Sequence, residues 1–449
     1  MLNDLTQGKP LKVIWRFSLP LLLSMAFQQM YNVADSMIVG WLVGSNALAA
    51  IGAAYPITLI FIAIATGLSM GASVVIGHLY GAKRMTMVKS AVNTVTLALC
   101  VFGIFISAVG VALSGPLMRV LGAPATIYND ARNYLIIYSV GILPMFIYNT
   151  TSAVFTGLGD SKRPLYFLIL SSLLNILLDI IAVGPLKMGV AGAAWATVLA
   201  QLIAAALSGT VLFKRVGAIE TEEKPKLFEK RVLTEMLRQS LPAVFQQSCI
   251  AIGHTFIQSL VNSYSESFIA GYEIASKIHN FAYMCFNTIG TALSSFVAQN
   301  FGAGKMKRIQ KGYQISSAMC FGIAAFVVII MQAFAPQLIG LFVDASKNPE
   351  VILAGSRYLR TISPAYLVIC FIITTGGLLR GVGRVQVFLI ITILDLGIRV
   401  SMSFVLTNLL GNYTGIFWAW YFGSIPDFAI CLWLYRRMCR KGGLLAGES

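Results

Sequence analysis

Twelve long apolar runs constrain this chain more than any other feature of its sequence. They lie at 14–40, 47–71, 88–113, 132–156, 165–184, 189–213, 240–264, 268–297, 313–335, 357–379, 386–407 and 414–435. A helix of about 20 apolar residues covers the ~30 Å hydrocarbon core of a bilayer. Inside that core every backbone N–H and C=O must be satisfied within the chain, so runs this continuous are helices. The 449 residues are 57% hydrophobic and only 11% charged, a balance that excludes a water-soluble globule. The expected fold is an all-α polytopic membrane protein with twelve transmembrane helices. The first run is too long for a signal peptide and lacks an A-x-A site, so it is expected to remain as a span.

The formal net charge of +16 would fit a nucleic-acid partner if it were clustered, but it follows the loops instead. With twelve spans both termini share one side. Of the 33 Lys and Arg, 25 fall on that side, six on the other and two, Lys277 and Arg399, within spans. By the positive-inside rule both termini are cytoplasmic, which places the chain in the plasma (inner) membrane and removes the nucleic-acid reading. No GxxxxGK[ST] loop is present, and GAGK at 302–305 lacks both the spacing and the hydroxyl, so ATP is not expected as a partner. HExxH is missing too, and an enzyme is not expected. The seven Cys are scattered without metal-type spacing and read as small packing residues.

The two halves repeat each other. SLP at 18–20 returns at 240–242, and LYGAKR at 79–84 as NFGAGK at 300–305. FTGLGDSKRP at 155–164 returns as LRGVGR at 379–384, and FLILSSLLNILLD at 167–179 as FLIITILDLGIR at 388–399. Four matches in one order predict two pseudo-symmetric six-helix lobes, 1–213 and 240–449, joined by a charged cytoplasmic linker at 214–239.

Polar residues inside these runs mark the site. Asp35 lies near the end of the first run, with no Lys or Arg a turn away. A carboxylate at that depth costs several kcal/mol or more and signals function by default. Gln28, Tyr31 and Asn32 share its helix face. Asp35 and Asp179 each lie five residues from the outer end of their run, and Thr197 lies eight residues in from the outer start of its own. At 1.5 Å per residue all three sit about 8–12 Å below the outer surface. Asn175 precedes Asp179 by one turn, and Gln201 follows Thr197 by one turn. Two carboxylates, an amide and a hydroxyl at one depth form an oxygen cluster for a proton or a hard cation such as Na⁺. Neighbouring carboxylates in a poor dielectric also retain a proton more readily. Pro20, on the helix of Asp35, removes a backbone hydrogen bond and is the expected hinge.

The second half reads differently. Glu273 has Lys277 at i+4, and Asp395 has Arg399 at i+4, so each carboxylate can be neutralised on its own helix. In the repeat alignment Asp395 takes the place of Asn175, and Arg399 that of Asp179. Asp427 has no evident partner. His254 and His279 read as packing residues.

Twelve spans in two halves, Pro20 and Asp35 in the first helix, Asn175-x-x-x-Asp179 in the fifth and Thr197 in the sixth together resemble the multidrug and toxic compound extrusion (MATE) family. The G-[LV]-G and [YF]-G-A loops fit it as well, and the likeness covers essentially the whole chain. The first-half residues are most similar to the prokaryotic DinF-like branch, whose ion site has matching Asp, Asn, Asp and Thr positions. The resemblance implies a two-lobed secondary transporter, not an enzyme, that exports amphipathic, often cationic compounds in exchange for H⁺ or Na⁺. It would need no cofactor and is expected to work as a monomer in the bilayer. Another branch places acidic groups on helices 7 and 10, but here helix 7 offers His254 and no carboxylate until Glu266 at its edge, and helix 10 offers none, so an ion site of that kind is not expected. Two other readings stand beside it. A flippase for a lipid-linked oligosaccharide or peptidoglycan precursor would need a basic cavity, and a membrane-embedded lipid transferase would need catalytic acids or His at a loop–membrane boundary.

Overall fold

The computed structural model describes residues 4–221, 223–344 and 346–441, which form fourteen α-helices and no strand. In chain order these are α1 (Pro10–Leu42), α2 (Ser45–Gly81), α3 (Met85–Val120), α4 (Tyr128–Val140), α5 (Ile142–Gly157), α6 (Lys162–Val183) and α7 (Gly189–Gly217). There follow α8 (Lys230–Val261), α9 (Glu266–Gly302), α10 (Met306–Gly340), α11 (Pro349–Ile362), α12 (Tyr366–Gly381), α13 (Val385–Leu410) and α14 (Thr414–Lys441). Most overrun the apolar runs at their ends, because a helix continues past the hydrocarbon until a turn stops it.

Fourteen helices make twelve spans because the fourth and tenth are broken. The α4–α5 pair bends by 44° at Gly141, and α11 meets α12 through a 3₁₀ turn at Ser363–Ala365. Each break carries a proline, Pro144 or Pro364, whose missing N–H cannot continue the ladder of the preceding turn. Counting each broken span as one, eleven are long and apolar enough to cross a membrane. The exception is α8, diluted by Gln239, Gln246, Gln247, His254 and Gln258.

The chain divides into two compact units. One comprises Leu19–Val244 with the N-terminal residues up to Leu5; the other comprises Thr6–Ser18 and the chain from Phe245 on. The division falls inside the first helix of each half, one residue before Pro20 and two after Pro242. The linker belongs to the first unit. The Lys226 amide donates to Ser90 Oγ and the Glu229 amide to Thr94 Oγ1, both at 2.9 Å, and Lys89 Nζ donates to Gly217 O at 3.0 Å. Each unit has its own apolar core. Val92, Leu135 and Phe155 are central to the first, and Phe286, Tyr358 and Phe417 to the second.

The repeat recurs as local geometry within each unit. A Cβ on Gly157 would meet Ser73 O at 2.7 Å, and one on Gly381 would meet Ser294 O at 2.7 Å. These glycines therefore let the end of the fourth span of each half press onto its second span. Gly159 and Gly383, two residues on, hold positive φ of 81° and 79°, which a side chain would strain. After each of these turns an amide closes back onto the helix: Asp160 N to Phe155 O and Arg384 N to Leu379 O, both at 2.8 Å. Asp160 also accepts from the Lys162 and Arg163 amides and pairs with the Arg163 guanidinium, so it caps α6.

Candidate functional site

The polar cluster of the first unit forms where α1, α4, α6 and α7 meet. Small residues set this up. The α6–α7 hairpin turns at Gly184–Met188, and Gly192 of α7 faces Ala182 of α6 so closely that a Cβ there would lie 3.2 Å from the Ala182 backbone. Ala193, Ala194 and Ala196 continue the small surface, so the hairpin packs backbone to backbone. That approach brings Asn175 and Asp179 beside Thr197. On the other side of α7, Gly141 closes onto Val198 and carries the end of α4 to the same level.

Asp179 is fully buried and Asn175 is 2% exposed. With the Asn175 amide oriented so that both its ends are satisfied, its nitrogen donates to Asp179 Oδ2 at 2.7 Å and its oxygen accepts from the Thr197 backbone amide at 3.1 Å. Thr197 Oγ1 lies 3.3 Å from that oxygen and 3.1 Å from Ala193 O. Asp35 reaches across from α1, and its carboxyl faces that of Asp179. The remaining oxygens, Asp35 Oδ1 and Asp179 Oδ1, are buried without a partner. Tyr31, one turn before Asp35, faces Thr197 and lies within electrostatic range of Asp35 and Asp179. Among the described residues no Lys or Arg pairs with either carboxyl. Two ionised carboxylates that face each other without a base repel, and a proton or a cation relieves the pair. Chemically the arrangement can take up and release one positive charge.

Asp35, Asn175, Asp179, Thr197 and Tyr31 are thus brought together. Gln28 and Asn32 are exposed, and Asn32 Nδ2 donates to Gln29 Oε1 at 3.4 Å. Gln201 is half-buried a turn along α7 from Thr197. Pro20 lies within α1, which continues through it as one helix, with Ser24 Oγ donating to Pro20 O at 2.9 Å. Tyr134 and Tyr138 of α4, whose rings stack with centroids 6.0 Å apart, were not expected from the sequence. Tyr134 lies within electrostatic range of Tyr31, Asp35 and Asp179. The i, i+4 spacing of the two tyrosines was the available signal.

In the second unit Arg399 Nη2 pairs with Asp395 Oδ2 at 3.1 Å, as the i+4 spacing predicts, and its guanidinium lies over Trp420 at 4.2 Å. Glu273 differs from expectation. It accepts from Gln258 Nε2 of α8 at 2.8 Å, and among the described residues it forms no ion pair with Lys277. A partner on a neighbouring helix is invisible to spacing along one helix. The repeat alignment also shifts. Asn175 and Asp179 lie 13 and 17 residues after the start of α6, but Asp395 and Arg399 lie 10 and 14 after the start of α13. Arg399 therefore falls near the level of Asn175, not of Asp179, counted from the helix start. His279 is buried and hydrogen-bonds the Tyr366 hydroxyl at 2.8 Å, as a packing residue would, whereas His254 is exposed along α8. Arg380, counted with a loop from sequence, is 8% exposed inside α12, with its guanidinium 5.4 Å from the Phe388 ring centroid. Cys320, Cys370 and Cys431 are buried packing residues; the Cys439 side chain lies outside the described ones.

The MatE family model matches residues 20–181 and 242–405, one segment in each half, starting at Pro20 and at Pro242. The chain belongs to the MatE family. It is a multi-pass membrane transporter, not an enzyme, built as twelve helical spans in two six-helix lobes. The curated probable multidrug resistance protein YoeA of Bacillus subtilis is 27% identical over 415 residues, covering 90% of this chain and 89% of its own. A FAD transporter of Shewanella oneidensis is 24% identical over 432 residues, 95% of each chain. A solved outward-facing multidrug resistance MATE family transporter superposes with a TM-score of 0.89 at 25% identity, over 99% of this chain and 98% of that one. Membership in MatE brings no cofactor and implies small-molecule substrates in a membrane setting.

Proposed function

We propose that this MatE protein is a secondary exporter that expels amphipathic, cationic small molecules in exchange for protons carried by the Asp35–Asp179 pair. The observation that carries this reading is the facing of two carboxyls, Asp179 fully buried and Asp35 half-buried, each with an oxygen buried without a partner and no basic partner among the described residues. A proton supplies the missing donor directly. Na⁺ would use the same oxygens of Asp35, Asn175, Asp179 and Thr197 but would have to gather all of them around it.

The sign of exchange follows from charge. With the pair deprotonated on the inner side, Asp35 offers a negative charge to a cationic substrate. The exposed Gln28 and Asn32 lie along the same helix, and Gln201 lies near Thr197, to hold the substrate's polar groups. A proton arriving from outside removes that charge and lowers the affinity for the cation. The Lys and Arg bias supports termini on the cytoplasmic side of the plasma membrane. The lack of a phosphate-binding loop supports a gradient, not ATP, as the energy source. One cluster complete within one chain supports a working monomer.

A flippase for phosphate-bearing lipids, or a carrier of an anionic dinucleotide such as FAD, would need free basic groups at the site. The first-unit cluster offers none among the described residues. The test is transport in proteoliposomes with H⁺ and Na⁺ gradients imposed separately, using a lipophilic cation and FAD as substrates. Proton-driven movement of the cation alone is expected. Movement driven only by Na⁺, or movement of FAD in its place, overturns the proposal.

A further inference from the structure

The second unit holds a buried carboxyl that the exchange at Asp35 and Asp179 does not use. Asp427 lies near the middle of α14, 2% exposed, and its Oδ1 has no hydrogen-bond partner. One turn before it, Gly423 sits against α13 so closely that a Cβ there would collide with Asp395 Oδ1 and lie 3.2 Å from Arg399 Cβ. Trp420, one turn earlier again, covers the Arg399 guanidinium at 4.2 Å. Trp420, Gly423 and Asp427 recur at helical spacing, so one stripe of α14 faces the Asp395–Arg399 stripe of α13. Arg399 gives Nη2 to Asp395, but its Nε is also buried without an acceptor. An orphaned acceptor and an orphaned donor of opposite charge thus lie within electrostatic range in one buried cluster.

We propose that Asp427 is a second proton-binding site, carried by the second unit, and that Arg399 is the group that changes partner when the proton leaves. Protonated, Asp427 needs no counter-charge and Arg399 stays on Asp395, which is the arrangement observed. Deprotonated, Asp427 becomes a buried anion whose nearest cation is Arg399, and the vacant Nε offers the first contact. The proton goes to water, and the guanidinium then divides between two carboxylates.

The surroundings favour a proton over a metal ion. Asp395 is engaged by Arg399, Trp420 and Gly423 bring no side-chain oxygen, and no group of three or more His, Cys, Asp or Glu is assembled among the described residues. The other ionisable groups on the packed elements are occupied or face Arg399 rather than Asp427. Arg380 of α12 lies against the Phe388 ring, and Arg360 of α11 donates to Gln332 O at 3.2 Å. Tyr358 of α11 packs on Phe417, and His279 of α9 bonds Tyr366. His254 of α8 and Tyr283 of α9 lie within electrostatic range of Arg399. Cys431, one turn past Asp427, lies within range of it and approaches Thr375 of α12. Thr375 Oγ1 is 2.9 Å from the Tyr313 hydroxyl of α10, and the Tyr313 ring lies 5.1 Å from Tyr435. This line of hydroxyls and a thiol runs from Asp427 toward the end of the unit that carries the GAGK loop. By the charge bias of the loops that end is cytoplasmic, and it is the exit for this proton.

A second proton per cycle follows only where the exchange reading holds; the titration itself is read without substrate. Infrared difference spectra of the full-length purified protein, recorded as pH is stepped, report protonated carboxyl bands directly. In Asp35→Asn/Asp179→Asn a titrating band is expected to persist, and adding Asp427→Asn should remove it. Adding Asp427→Glu instead should keep it at a shifted frequency, which controls for a fold damaged by the amide. Adding Arg399→Gln should make the band persist to more alkaline pH, and Tyr313→Phe should leave its position unchanged. No titrating band in the Asp35→Asn/Asp179→Asn background overturns the proposal. So does a band that survives Asp427→Asn and is removed by Asp395→Asn.

Discussion

The two units answer the same physical problem, a carboxylate buried in the membrane, in opposite ways. In the first, Asp35 and Asp179 face each other with an amide and hydroxyls around them and no base. In the second, Asp395 has Arg399 one turn away on its own helix. Asp179 and the Asp395–Arg399 pair both come from the fifth span of their half, in FLILSSLLNILLD and FLIITILDLGIR. An ion pair is complete and has no need of a mobile charge; a carboxyl pair is incomplete until one arrives. Of two repeated halves, the first thus leaves its carboxyl pair open to a mobile charge, while in the second a basic residue closes Asp395, and only Asp427 is left open.

The largest expected effect removes the mobile charge. Asp179→Asn should reduce gradient-driven efflux by about 100-fold, as for the loss of a coupling free energy near the top of the usual 1–3 kcal/mol range. The folded fraction in the membrane should not change, since the amide keeps the shape and can still bond Asn175. Efflux measured in inverted vesicles, alongside fluorescence size-exclusion, separates the two.

The second effect lies in the other unit and in another observable. Asp395→Asn or Arg399→Gln alone strands a buried charge and should cost about 3–5 kcal/mol of stability. The double variant should recover most of that loss and still show proton-driven efflux, since the Asp35–Asp179 pair is untouched. Thermal unfolding of both single variants and the double checks it. A double variant as inactive as Asp179→Asn would reverse the roles of the two units.

Much of this contrast is legible in the amino-acid sequence alone. Asp35, Asp179 and Thr197 can be placed at one depth because topology, run length and the fixed rise of a helix suffice for that. Lateral contact cannot be read that way, since it depends on Gly192 and Gly141 letting α6, α7 and α4 approach. Tyr134 and Tyr138 escape notice because a tyrosine in an apolar run resembles core. Glu273 is misassigned because spacing along one helix cannot show Gln258 on another. Arg380 falls to a loop because a basic residue beside a Gly-x-Gly turn looks solvated, whereas the helix runs on to Gly381 and buries it.

A smaller effect sharpens the geometry of the first site. Thr197→Val keeps the volume and removes the hydroxyl that faces Tyr31 and approaches Asn175. It should lower proton-driven turnover several-fold, about the 0.5–1.5 kcal/mol of one neutral hydrogen bond. Thr197→Ser should restore it. Equal losses in both variants would assign Thr197 to packing.

The contrast between the units turns on Asp35 serving both the proton and the cationic substrate. The most direct measurement is the affinity for a lipophilic cation as a function of pH, in the wild type and in Asp35→Asn. Protonation discharges the group that retains the cation, so the wild type should bind more tightly as pH rises. By reciprocity, bound cation should promote proton release by the same factor. In Asp35→Asn the dependence should flatten, with affinity near the acidic limit of the wild type. A pH dependence unaltered in Asp35→Asn would contradict the account and move the shared charge to another carboxyl.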